Sequence, residues 1–172
     1  MSDRVNRNCP VINIYGANRF EKWTKTRRGS RAIIVKDKNI LITHEVRADL
    51  WMIPGGGLEE GETPEECCIR ELEEETGYKV RLLYPLLTMN EYYEDYRFIT
   101  DYFVCETTQH SMMHLTEAEQ KAGLRPEWVP VSEVLGIFSR HQEYAATDEE
   151  KRGIYLREFT ALTEYLKCST DH

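Results

Sequence analysis

The sequence predicts an α+β domain, a mixed β-sheet covered by helices on both faces. Three observations carry this. Short apolar runs, rich in β-branched and aromatic residues, recur from Val11 to Val131. A sharply bounded helix interrupts them, and a long helix with one apolar stripe follows them. At 172 residues a single domain spanning 1–172 is expected, large enough to bury roughly 70% of its unfolded surface.

The elements follow in order. Val11 to Phe20 alternates through Ile12 and Ile14 and reads as a strand. Arg27-Arg28-Gly29-Ser30 reads as a turn. Ala32 to Val35 and Asn39 to Thr43 are short apolar runs, with Asp37-Lys38-Asn39 as a hairpin turn between them. Leu50 to Ile53 is a third short strand before Pro54, and Gly55-Gly56-Gly57 is a loop. The next helix spans Pro64 to Thr76. Thr63 is its N-cap, Pro64 suits the first helical position, Glu66 completes a capping box and Gly77 ends it.

Val80 to Leu87 and Phe98 to Cys105 read as strands, joined by a polar, tyrosine-rich connection from Met89 to Tyr96. Thr107 to Pro126 reads as loop with a helical turn at Glu117 to Ala122. Trp128 to Val131 is a short strand, and Ser132 caps a helix through Phe138. Asp148 to Lys167 is a long helix whose Tyr155, Phe159, Leu162 and Leu166 form one stripe that packs on a sheet.

Composition removes several classes of function. No apolar run approaches the ~18–20 residues that span a bilayer, and the polar start at Met1 to Pro10 lacks the apolar stretch of a signal peptide. The expected location is the cytoplasm, with no membrane partner. The five cysteines include no Cys-x-x-Cys pair, so zinc or disulfide scaffolding is not expected. Cys67 and Cys68 read as small packing residues within the helix. His44, His110, His114 and His141 show no metal spacing and read as surface or loop residues.

The net charge of −8 has one source. Between Glu59 and Glu75 stand nine acids and one base, Arg70, while acids and bases balance in the rest of the chain. Such a block repels a nucleic-acid backbone, which argues against a polymer nucleic-acid partner. It remains compatible with a phosphate substrate if it holds a hard divalent cation.

The helix gives the block a shape. Glu71 and Glu75 are four apart and share a face. Glu74, three from Glu71, joins them. Arg70 is spaced to pair with Glu74, while Ile69, Leu72 and Thr76 turn toward the core. Like charges at this spacing destabilise a bare helix by about 0.2–0.5 kcal/mol per pair. A cation among them reverses that. Carboxylate oxygens suit Mg²⁺ or Mn²⁺, and Mg²⁺ takes only one or two of them, leaving positions for water and substrate phosphate.

The segment from Gly56 to Tyr78 resembles the Nudix box: Gly, five residues, Glu, seven residues, Arg-Glu-aliphatic, one residue, Glu-Glu, one residue, Gly-aliphatic. Gly56, Glu62, Arg70, Glu71, Leu72, Glu74, Glu75 and Gly77 meet it, and Tyr78 stands where an aliphatic is usual. The resemblance covers 23 residues. It implies a Nudix-like α/β/α sandwich and a Mg²⁺- or Mn²⁺-dependent hydrolase of the MutT-like kind. The enzyme would cut a diphosphate bond in a nucleoside diphosphate linked to some group X, by attack of a metal-activated water on phosphorus. Nucleoside and deoxynucleoside triphosphates, oxidised ones included, and dinucleoside polyphosphates lead among the substrates. The intact box argues against a nucleotide-sensing domain without turnover. A homodimer is also implied.

By position, the resemblance makes Glu71 and Glu75 the main metal ligands. Glu74 is a further ligand or a water-mediated contact, the Gly55 carbonyl joins the metal shell, and Arg70 and Glu62 stand just outside it, with Arg70 orienting the carboxylates. The general base is left open between Glu71 or Glu74 on the helix and a glutamate on a later loop, Glu117 or Glu119, with Glu91 and Glu94 behind them. Tyr92, Tyr93 and Tyr96 stand about where a tyrosine stacks on a base in dinucleoside-polyphosphate hydrolases, and Tyr92 and Tyr96 are the substrate-binding candidates.

Overall fold

A charged stretch that reads as a turn is in fact the strand that joins the sheet together. In the computed structural model, which describes residues 9–16 and 23–170, the strands are β1 (Val11–Tyr15), β2 (Lys25–Ile33), β3 (Val35–Lys36), β4 (Asn39–Glu45), β5 (Leu50–Met52), β6 (Gly55–Gly57), β7 (Tyr78–Tyr93), β8 (Tyr96–His110) and β9 (Leu124–Pro130). The helices are α1 (Pro64–Thr76), α2 (Glu117–Ala122), α3 (Val131–Ser139) and α4 (Glu149–Thr170), with a 3₁₀ turn at His141–Tyr144.

The strands make two sheets. One is mixed, in the order β1-β7-β8-β2-β6, with β1–β7 and β2–β8 parallel and the other pairs antiparallel. The other is antiparallel: β3, β5 and β9 all pair with β4. Helix α1 lies over one hydrophobic cluster, built from Ala32, Ile34, Leu41, Cys68, Leu72 and Phe103 among others. Helices α3 and α4 cover a larger one, with Ile33, Ile42, Met89, Tyr102, Phe138, Tyr155 and Leu162. Sheets are thus covered on both faces, the expected α+β layering. No described helix is long and apolar enough to cross a membrane.

Five expectations are corrected by the backbone, the first being Gly55 to Gly57, which is strand β6 paired with β2 and not a loop. Arg27 to Ser30 is the middle of β2, paired with β8 on one side and β6 on the other, although its charged side chains point largely to solvent. Met89 to Tyr96 is not a connection. Both strands run through it to a two-residue turn at Glu94-Asp95, where Glu94 adopts φ 50°. Strand β8 continues to His110 and β9 begins at Leu124, so the loop between them is shorter than the sequence suggests. Ser132 does not cap α3, which starts one residue earlier with Pro130 at the N-cap position and no side-chain cap. The end of the first predicted strand, beyond Gly16, falls outside the described residues.

The α4 stripe packs as expected. Tyr155 and Leu162 are fully buried, and Phe159 and Leu166 pack against the same cluster. The Tyr155 hydroxyl accepts the Trp51 N–H at 3.3 Å and donates to the Asp49 carbonyl at 3.2 Å, so its polar end is satisfied at the edge of β5. His44, expected at the surface, is 8% exposed on β4, stacked on Trp51 at 3.8 Å and bonded to Asp49 at 2.9 Å.

Candidate active site

Local sequence fixes α1 at both ends. The Thr63 hydroxyl accepts the Glu66 N–H at 3.2 Å, and the Glu66 carboxylate accepts the Thr63 N–H at 2.9 Å. Pro64 starts the helix, and Gly77 ends it at φ 73°, its N–H bonded to the Glu73 carbonyl. The helix therefore occupies the span the sequence predicts.

Its buried arc is rotated from the expected one. Cys67, Cys68, Leu72, Glu75 and Thr76 are buried, and Ile69 is 40% exposed. A helix turns ~100° per residue, so this arc takes in the Glu71 and Glu75 flank and leaves Ile69 outside it. The carboxylate face thus lies against the protein. Glu75 is 7% exposed, and one carboxylate oxygen accepts the Gly55 N–H at 2.9 Å. Burial pushes its pKa up to about 8, against the pull of the Arg31 charge and the Gly55 bond. Burial raises Glu71 as well, opposed by Arg70.

Arg70 is the hub on the outer side. Its Nε and Nη2 donate to the two Glu62 oxygens at 2.7 and 2.9 Å. Its Nη1 donates to Glu71 at 2.8 Å and to Glu74 at 3.2 Å, and Nη2 also reaches the Gly57 carbonyl at 3.1 Å. The planar fork suits such paired carboxylates. Its hydrogen bonds hold the Glu62 carboxyl down at about 2. Glu62 also accepts the Glu59 N–H at 2.9 Å, which ties the loop after the glycines to the helix.

The glycines are needed because side chains crowd them. Gly55 has φ 150°, and a Cβ there would meet the Ser30 carbonyl and lie 2.7 Å from Arg31 Cα. This close approach pairs β6 with β2 and sets the Gly55 N–H on Glu75. A Cβ on Gly56 would lie 2.5 and 2.6 Å from the two Glu71 carboxylate oxygens. Gly56→Ala should therefore displace Glu71 while sparing the fold, because the clash is with a flexible side-chain end. The expected result is a melting temperature within about 4 °C of the parent and activity lowered roughly tenfold or more. Unchanged activity in a folded variant would show that Glu71 has no exacting position.

The later glutamates separate. Glu117 is exposed and paired with Lys121 at 2.7 Å. Glu119 caps α2, accepting the Thr116 N–H at 2.8 Å, and its charge adds a little to the rise that burial gives Glu45, Glu71 and Glu75. It stands on the site's side. Glu94 sits on the hairpin turn. Glu91 is 3% exposed on β7 and faces α4, where Arg157 reaches it.

The sequence reading missed a charged chain behind the site. Arg31 lies 3.7 Å from Glu158, Glu158 accepts Arg157 Nη2 at 2.8 Å and the Tyr102 hydroxyl at 2.8 Å, and Arg157 Nη1 reaches Glu91 at 3.5 Å. Burial raises the pKa of both Glu75 and Glu91, and the charge of Arg31 opposes that rise in each. Only the adjacent charges Arg157-Glu158, set beside an apolar stripe, hinted at it. The chain leads to a cavity of about 430 Å³ between the β7–β8 hairpin and α4, lined by Tyr93, Tyr96, Phe98 and Gly153 among others. Tyr96 therefore lines a cavity. Tyr92 does not: it stacks on Tyr15 at 5.0 Å, beside Trp23 at 5.2 Å, on the other face of the sheet.

The donor set suits a hard cation. Glu71, Glu74 and Glu75 offer only oxygen, and Glu75 is a buried carboxyl with one backbone bond and, among the described residues, no direct ion pair. Among the described residues no three acidic, thiol or imidazole groups converge on one point. Arg70 draws Glu71 and Glu74 to its own side, and Gly55 holds Glu75.

Comparison with known proteins follows the same line. The NUDIX domain family profile matches residues 25–152. Diphosphoinositol polyphosphate phosphohydrolase 3-alpha of Mus musculus is 29% identical over 116 residues, 67% of this chain and 69% of that protein. Among solved structures, a NUDIX hydrolase from Nitrosomonas europaea superposes with a TM-score of 0.64 at 18% identity, over 83% of this chain and 90% of its own. A UDP-X diphosphatase superposes at 0.57 and 19% identity, over 86% and 66%. With the box intact on α1 and the profile spanning most of both sheets, this chain belongs to the Nudix hydrolase family.

Proposed function

We propose that the chain hydrolyses a diphosphate bond in a nucleoside diphosphate linked to a group X, with nucleoside triphosphates and dinucleoside polyphosphates as the leading substrates. The observation that carries this is Glu75, a buried carboxylate bonded to the Gly55 N–H and flanked by Glu71. Glu71, Glu75 and the Gly55 carbonyl would hold Mg²⁺ or Mn²⁺, with Glu74 completing the set. Bound there, the cation would supply charge to neutralise diphosphate oxygens and to acidify a coordinated water. Arg70 and Glu62 keep the helix carboxylates in place, and Glu119 takes the proton from the attacking water. Substrate would draw Glu71 away from Arg70 as it enters.

The name of the mouse relative raises a more anionic substrate, a diphosphoinositol polyphosphate. The cavity speaks against it here, because Glu94 and Glu150 line it beside Glu91, which pairs with Arg157, and Glu149, which pairs with Arg152. A polyphosphate would be repelled there, while a neutral base would not. The test is a panel of nucleotides and a diphosphoinositol polyphosphate with Mg²⁺ or Mn²⁺, scored for phosphate and pyrophosphate release. Turnover of nucleotides that stops with chelator is expected. Tyr96→Ala should raise KM for a dinucleoside polyphosphate about 5- to 100-fold, the worth of one base stack. No release from any nucleotide with either metal would overturn the proposal.

A further inference from the structure

Arg31 is a positive charge placed beside a carboxylate that a metal ion needs. Its side chain runs along Gly55, where a Cβ would lie 2.7 Å from Arg31 Cγ. The Gly55 N–H donates to Glu75 at 2.9 Å. Arg31 and the Glu75 carboxylate thus meet the same short glycine strand. Among the described residues the two nevertheless form no ion pair. Arg31 Nη1 donates to the Ile53 carbonyl instead and lies 3.7 Å from Glu158.

A guanidinium fork fits a carboxylate through both oxygens, and a charged acceptor draws it more strongly than a neutral carbonyl does. On Glu75 it would occupy the oxygen that Gly55 leaves open, the one a divalent cation would use. The Ile53 carbonyl alone is a weak restraint against that move. Glu158 is the second restraint, and it is firmly set. Its side chain is fully buried on α4. One oxygen accepts the Tyr102 hydroxyl at 2.8 Å, and the other, which faces Arg31, accepts Arg157 Nη2 at 2.8 Å. Arg157 is itself reached by Glu91 of β7 at 3.5 Å. Strands β7 and β8 and helix α4 therefore fix this carboxylate, and it cannot follow Arg31 toward the site. The diphosphate chemistry gives it no other task.

The geometry points to Glu158 as a positioning residue: it holds the Arg31 guanidinium away from Glu75 and so keeps the Glu75 carboxylate open to a divalent cation. This deepens the hydrolase reading and rests on it for Glu75 being a metal ligand. Glu158 touches neither cation nor substrate and acts through Arg31. A merely structural role for Glu158 would not depend on Arg31, whereas this one does.

The test is a double-mutant cycle on Mn²⁺ binding without substrate, read from the paramagnetic resonance signal of free Mn²⁺. Glu158→Gln keeps an oxygen for Tyr102 and should weaken Mn²⁺ binding about 10- to 100-fold, the usual worth of a group that orients a metal site from outside. Arg31→Met should bind Mn²⁺ at least as tightly as the parent. Glu158→Gln added to Arg31→Met should then change the affinity by no more than about twofold. Parental affinity in Glu158→Gln would overturn the inference. So would equal losses from Glu158→Gln in both backgrounds, which would reduce Glu158 to a distant charge, or weaker binding in Arg31→Met. Mn²⁺ uptake that Glu75→Gln abolishes and Glu158→Gln leaves alone would overturn this inference and spare the hydrolase reading. A parent that takes up no Mn²⁺ would overturn both.

Discussion

Glu75→Gln should lower turnover by roughly two to four orders of magnitude while the protein stays folded. The isosteric amide keeps an oxygen for the Gly55 N–H, 2.9 Å away in the parent, but removes the buried charge on which cation binding depends. Lewis-acid stabilisation is worth several kcal/mol, and each ~1.4 kcal/mol is tenfold in rate. The same change should raise the melting temperature of the metal-free protein at alkaline pH, because an uncompensated buried anion is gone. Mg²⁺ should then no longer raise it. Parallel kinetics and thermal melts check both halves. A Glu75→Gln protein that turns over at the parental rate would end the ligand assignment.

The second large effect is a fall in metal-free stability with rising pH. The folded pKa of Glu75, about 8, lies above its ordinary 4.5. Between those values the folded state holds a proton that the unfolded state has released, so stability is fully present below about 4.5 and is lost as pH rises through about 8. Glu71 shifts the same way. Glu62 shifts the opposite way, to about 2, and its contribution is constant above about pH 5. A shift of this size corresponds to a few kcal/mol, or roughly 5–15 °C in melting temperature for a chain of this length. Melts in chelator from about pH 5 to 9 should show that drop, and millimolar Mg²⁺ should cancel most of it. A flat profile in chelator would mean that the Glu75 carboxylate is not buried in solution.

The residues explain which features could be read in advance. Helix α1 was legible because its start and stop are written locally: Thr63, Pro64 and Glu66 at one end, Gly77 at the other. The pairing of Arg70 with Glu74 followed from helix spacing, while its fork onto Glu62 did not, because Glu62 lies on the loop before the helix. The burial of Glu75 could not be read, because it depends on where β6 lies. That position is set by β2, whose Lys25-Thr26-Arg27-Arg28 carries no strand pattern and is held by β8, while Gly29 to Arg31 pair with β6 as well. Ile69 went astray for the same reason, since the rotation of α1 on the sheet is a packing outcome. Tyr92 and Tyr96 looked equivalent in the chain. Their positions in an antiparallel hairpin send one to each face of the sheet.

The pairing pattern also sets the order in which the site can assemble. Strands β7 and β8 meet through a two-residue turn and can zip early, whereas Arg31 must find Tyr102 and Val11 must find Thr88 across more than 70 residues each. The glycine strand needs only β2, close by in the chain, so Gly55 can be seated against Arg31 before β8 exists. The carboxylate helix and its glycines can therefore meet on the ribosome while the far edge of β2 still waits for its long-range partner.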